Sequence, residues 1–143
     1  MNPTRRVLLT ATALLALGVA SCGPTDGRRP TFPVTGKVLL PNGKPAEHAT
    51  VVFHPVGDSD PAAVRPRGKV GADGNFALTT YDGNDGAPAG EYRVTVELYL
   101  ASARADEGPS NRLNPKYAKP ESSGLSATVA AGPTVLKTIE LKK

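Results

Sequence analysis

The chain has one cysteine, one methionine and no tryptophan in 143 residues, and aromatic side chains make up only 5% of it. A single cysteine cannot close a disulfide within the chain, nor build a multi-cysteine zinc or iron–sulfur centre. The longest apolar run, Val7 to Ala20, is too short for a membrane-spanning helix, which takes about 20 residues. Two histidines are present, His48 and His54. If both lay in one strand they would stand roughly 20 Å apart, too far to share a metal ion. What is plentiful is glycine and proline, 15 and 14 residues. Helix interiors reject both, so the composition predicts short strands joined by tight turns. A hydrophobic content of 39% supports one modest core, and the length fits one domain.

The first residues carry an address. Met1–Arg6 is basic, with Arg5 and Arg6, and Val7–Ala20 is uncharged; together they match the n- and h-regions of a secretory signal. Val19-Ala20-Ser21-Cys22-Gly23 then places small residues before the single cysteine, and this resembles the bacterial lipobox. Such a site implies a signal peptide over 1–21, lipid on the Cys22 thiol, and a palmitate-bearing terminus that holds the protein to a membrane. One acyl chain binds only reversibly, whereas several anchor stably. The alternative is an ordinary signal peptide with an incidental cysteine. Gly23 stands where an aspartate would favour the inner membrane, so the expected location is the bacterial cell envelope, with the outer membrane preferred. Thr4-Arg5-Arg6-Val7-Leu8-Leu9 also matches a loose twin-arginine signal. Without the signal, 15 basic residues face 13 acidic ones, so the formal +4 falls to +2. That balance, with no arginine-rich run, gives no footing for nucleic-acid binding.

Residues 22–33, rich in proline and glycine, read as a tether, and 34–143 as one β domain. Gly36, Val38 and Leu40 alternate with Thr35, Lys37 and Leu39 up to Pro41-Asn42-Gly43, a turn signal. Ala49, Val51 and Phe53 define one face of a second strand. A weak strand over Arg67–Gly71 leads into a second turn at Ala72-Asp73-Gly74-Asn75, followed by Phe76, Leu78 and Thr80. In Glu91–Leu100 the expected inward set is Tyr92, Val94, Val96, Leu98 and Leu100, and the outward set includes Thr95 and Tyr99. Leu125, Ala127 and Val129 form a sixth strand, and Val135, Ile139 and Leu141 belong to a terminal seventh. About seven short strands predict an all-β fold, a single antiparallel β-sandwich.

Gly36-Lys37-Val38, Asn42-Gly43-Lys44-Pro45 and Ala49-Thr50-Val51-Val52-Phe53 resemble the opening of carboxypeptidase regulatory-like domains, in the transthyretin-like (prealbumin-like) β-sandwich group. Asp73-Gly74-Asn75-Phe76-Ala77-Leu78 and Gly90-Glu91-Tyr92-Arg93-Val94-Thr95-Val96 continue that pattern in order. Asn114-Pro115-Lys116-Tyr117 and Ser123-Gly124-Leu125 resemble a subgroup of small bacterial lipoproteins. The resemblance implies a non-catalytic accessory module without cofactor or metal. Independently of family, Tyr92 resembles a tyrosine corner, which would put its ring in the core and its hydroxyl on backbone at the sandwich end. One enzymatic branch of the group carries a C-terminal tetrapeptide that Ile139-Glu140-Leu141-Lys142-Lys143 does not match.

Direct signals for chemistry are sparse. Asp82-Gly83-Asn84-Asp85-Gly86 fails the EF-hand template, with Gly86 at position 5 and Arg93 at position 12. Ser122, Ser123 and Ser126 lack a nucleophile-elbow frame. The carboxylates Asp58, Asp60, Asp82, Asp85, Asp106 and Glu107 fall in loops, where a glycosidase-type pair would have to be assembled in space. One long link, Ala101–Gly124, has no strand pattern, and loops of that length are commonly functional or disordered. Tyr99, Arg104, Arg112, Lys116, Tyr117 and Lys119 on or beside it are residue types found at interaction hot spots. They are the candidate contacts for an envelope protein or polysaccharide. The rival readings are an envelope hydrolase with a loop-built site and a small-ligand carrier.

Overall fold

The computed structural model describes residues 27–58, 63–102 and 106–143. In chain order the strands are β1 (Thr31–Phe32), β2 (Val34–Leu39), β3 (Thr50–Pro55), β4 (Arg67–Lys69), β5 (Asn75–Ala77), β6 (Ala87–Pro88), β7 (Gly90–Glu97), β8 (Tyr99–Leu100), β9 (Ser110–Asn111), β10 (Leu125–Val129), β11 (Thr134–Val135) and β12 (Ile139–Glu140). One 3₁₀ turn, Pro115–Ala118, precedes β10, and there is no α-helix among the described residues. Sheet I runs β10-β7-β3-β4, antiparallel throughout. Sheet II is centred on β2, with β5 antiparallel on one edge and β11 and β12 parallel to it. Val51, Phe53, Tyr92, Val94 and Val96 from sheet I meet Val34, Val38 and Phe76 from sheet II in one core.

The two turn signals produce the same structure twice. Gly43 N–H bonds to Leu40 C=O and Leu40 N–H to Lys44 C=O; Gly74 and Gly71 repeat the pattern with Asn75. Both loops put their glycine at left-handed φ, +77° and +83°, the geometry of a three-residue hairpin. Asn42 Oδ1 and Asp73 Oδ1 each accept the N–H two residues on, at 3.0 Å. Hairpin chemistry therefore sets the register of β2 against the Pro45 bridge and of β4 against β5.

Several expectations need correction. The tether does not reach residue 33: Thr31 and Phe32 pair with Pro88 and Ala87, and Arg29 donates to Ala89 C=O at 3.0 Å. Prolines at 30 and 33 restrict this pairing to two residues, and it escapes a search for alternating runs. The C-terminal strand lies parallel to β2, and it splits into β11 and β12 because its register slips by one residue between them. Val135, in register with exposed Thr35, faces outward and is 82% exposed, Leu136 packs against the core, and the slip lets Ile139 pack there as well. β7 ends at Glu97. Leu100, expected inside, is exposed, while Thr95, expected outside, is buried under His54. The 101–124 link is also structured in part. β9 pairs with β8, and Asn114 caps the 3₁₀ turn by accepting Lys116 N–H at 3.1 Å. Ser-Asn has no strand propensity; Asn111 Oδ1 holds the pairing by accepting both Leu98 and Leu113 N–H at 3.1 Å.

The 82–86 loop folds onto its own acid. Asp85 accepts the N–H groups of Thr80, Tyr81 and Asp82. Burial pushes its carboxyl pKa upward, and these backbone donors together outweigh burial and hold it below the usual range. His48 precedes β3 at φ 68°, and His54 lies within it.

Candidate functional site

Two surfaces gather polar chemistry. The first lies at the end of the sandwich where β2 and β7 finish. Leu141 N–H bonds to Leu39 C=O, and Arg112 N–H to Leu98 C=O, which brings the C-terminal residues and the 112–117 segment to the Pro41–Asn42 turn. Between them is a cleft of about 480 Å³. Leu40, Pro41, Leu113, Tyr117 and Leu141 give it apolar walls, and Arg112, Lys142 and Lys143 are its charged lining. No carboxylate side chain among the described residues lines it. Tyr117 is the keystone: its hydroxyl accepts Lys142 N–H at 2.7 Å and lies 3.3 Å from Lys142 C=O. Lys116 Nζ sits 4.9 Å over the Tyr117 ring, adding a fourth cation nearby.

The second surface is the outer face of sheet I. Glu91, Arg93, Glu121, Ser126 and Thr128 share a hollow of about 380 Å³ beside exposed Val56. His54 adjoins it through its cross-strand partner Arg93, with Nε2 3.0 Å from Thr95 Oγ1. Burial lowers the His54 pKa from its ordinary 6.5, the Arg65 charge lowers it further, and Glu121 opposes both. The neutral ring is therefore favoured in the folded state, and the unfolded chain takes up the proton first. Stability from this group is complete above pH 6.5 and declines as pH falls toward the lowered value. Urea unfolding between pH 7.5 and 5 is expected to show a steeper loss for the wild type than for His54→Gln; parallel curves would contradict it. A broader hollow beside β2, β5 and the end of β4 mixes Lys37 and Lys69 with Asp73.

Of the sequence-predicted contacts, Arg112 lines the cleft, Lys116 is beside it, and Lys119 is exposed after the 3₁₀ turn. Tyr99 is 55% exposed on β8. Tyr117 is 4% exposed, so it is a wall and brace of the cleft and offers a partner little surface. Cys22 and Arg104 lie outside the described residues. Sequence reasoning missed Lys142 and Lys143; their charge was visible, but nothing in the spacing tied them to Arg112, 30 positions away. It likewise missed Glu91 and Glu121, which belong to a strand and a turn far apart in the chain.

No family model matches the chain, and no curated protein matches it. Among solved structures it aligns with the crystal structure of a 9R-lipoxygenase from Cyanothece PCC8801, at 17% identity and a TM-score of 0.41. The alignment covers 78% of this chain and 16% of that one. A likeness at that level carries no argument about activity.

Proposed function

We propose that this protein is a lipid-anchored, non-catalytic module of the bacterial envelope, a β-sandwich of the carboxypeptidase regulatory-like kind, that binds an acidic segment of another envelope protein. The carrying observation is the cleft, apolar inside and lined by Arg112, Lys142 and Lys143. An acidic peptide with apolar side chains suits such walls better than a wholly polar glycan does, since cations steer it and the floor takes its apolar groups. Position supports the same reading. The chain enters at the β1–β6 pair, next to the start of β7, and β7 then runs roughly 24 Å to the end that carries the cleft. A tether from Cys22 would dock by Arg28–Arg29, so it spans at most about 25 Å and leaves the cleft facing away from the membrane.

One experiment in intact cells tests both halves. A photo-crosslinking residue at Asn42 is expected to form a defined protein adduct that is lost in Arg112→Glu with Lys142→Glu. In the same cells labelled palmitate is expected in the wild type and absent from Cys22→Ala. Equal labelling of both ends the anchor reading; an adduct indifferent to charge reversal ends the cleft reading.

A further inference from the structure

The sheet edges are unequal. β4 is three residues long with Arg67 and Lys69 exposed. β5 is equally short and crosses onto β4. β11 and β12 are interrupted by the register slip beside Lys137. Charge, brevity and irregularity are the usual guards against edge pairing. β10, Leu-Ser-Ala-Thr-Val, has five residues and none of these guards.

The direction of its backbone groups follows from the ladder. Phe53 N–H bonds to Pro66 C=O, away from β7, and Glu91 C=O bonds to Val56 N–H, toward β3. Odd-numbered residues of β7 therefore serve β3, and Tyr92 and Val94 serve β10. Their partners Ala127 and Leu125 spend their own groups on β7. Ser126 and Thr128 turn N–H and C=O to the open edge, and both side chains are exposed. Among the described residues no backbone hydrogen bond reaches that edge.

We propose that β10 pairs antiparallel with β10 of a second copy, about a two-fold axis through Ala127. Ser126 then faces Thr128 of the other copy on both sides of the axis, exchanging four backbone hydrogen bonds and forming two hydroxyl pairs. Charge complementarity favours this occupant. Thr128 stands opposite Glu91 and Ser126 opposite Arg93 within one chain. Across the seam each outer-face row accordingly begins at Glu91 of one copy and ends at Arg93 of the other, about 14 Å away at the usual strand spacing. Long side chains of opposite sign thus lean toward each other over two small hydroxyls. β10 itself carries no charge to repel its copy. The two hollows lined by Glu91, Arg93, Ser126 and Thr128 merge into one trough. This pairing is independent of the cleft and of the anchor.

The test uses the full chain in intact cells. In such a pair the two Ala127 Cα atoms lie about 4.5 Å apart, within disulfide reach. Ala127→Cys under mild oxidant is expected to give a dimer with a 127–127 linked peptide, several-fold above Val135→Cys, whose position is far more exposed. Thr128→Pro removes only an edge N–H, and Thr128→Lys brings cations to the seam; each is expected to return the Ala127→Cys yield to that of Val135→Cys. Thr128→Lys leaves the backbone intact, so it reads the edge even where the proline variant folds poorly. The proposal is overturned by an Ala127→Cys yield no higher than that of Val135→Cys, by a crosslink to a different protein in place of the homodimer, or by a dimer that survives Thr128→Lys.

Discussion

Replacing Gly86 with alanine is expected to remove about 2–5 kcal/mol of stability, a large part of the roughly 5–15 kcal/mol that holds a domain folded. Two costs add. Gly86 has φ +87°, which an L side chain enters at about 1–2 kcal/mol. A Cβ there would also overlap the Phe32 carbonyl and come within 2.8 Å of Pro33 Cα, and overpacking of this kind costs about 1–3 kcal/mol. The neighbours have little room to yield. Gly86 donates to Leu78 C=O at 3.0 Å, its own C=O accepts Thr80 Oγ1–H at 2.6 Å, and Asp85 ties down three further N–H groups. Phe32 is itself paired with Ala87. Thermal unfolding is expected to fall by roughly 10–25 °C for a domain of this size. Gly83→Ala, whose Cβ meets nothing within 4 Å, is the matched control. A Gly86→Ala melt within a few degrees of that control would mean that β1 yields without cost, and the close approach would have no structural weight.

The same loop shows what the sequence conveys and what it hides. The hairpins at Gly43 and Gly74 are legible because a left-handed glycine beside a short polar residue is a local requirement, met within five residues. The alternation of β7 is legible from Tyr92 to Val96 for a similar reason: one face meets a core and the other meets solvent. It fails at Thr95 because His54, on the neighbouring strand, covers that position. Pairing of Thr31-Phe32 with Ala87-Pro88 is illegible, since two-residue strands have no period and both contain or adjoin proline. The register slip before Ile139 cannot be read either: it depends on how β2 is placed, not on the residues that slip. For the cleft, Arg112 was legible as a residue type, and its partners Lys142 and Lys143 were not, because Asn111 and Tyr117 bring them together through side-chain bonds to distant backbone.

Tyr92 is the position where two substitutions should separate packing from tethering. Tyr92→Ala is expected to cost about 3–5 kcal/mol, because the ring is 2% exposed and packs on Phe53 with centroids 5.5 Å apart. Tyr92→Phe keeps the ring and removes a hydroxyl that donates to Pro88 C=O at 2.7 Å. A buried acceptor left unpaired costs about 1–3 kcal/mol. The place of that loss matters as much as its size. Pro88 cannot donate a hydrogen bond, so β6 is held by few bonds, and Tyr92 secures it from the core side while Thr31 and Phe32 pair with it from the other. Tyr92→Phe should therefore loosen the entry of the chain before it loosens the sheets. Amide exchange at Phe32 and Ala87 is expected to quicken markedly, with Val51 and Val94 keeping most of their protection. The alanine variant should instead raise exchange throughout sheet I, since a cavity beneath Phe53 weakens β3 and β7 together. If the phenylalanine variant matched the wild type in stability and at both entry amides, the Tyr92 hydroxyl would contribute nothing to the corner, and the ring alone would account for its place in the core.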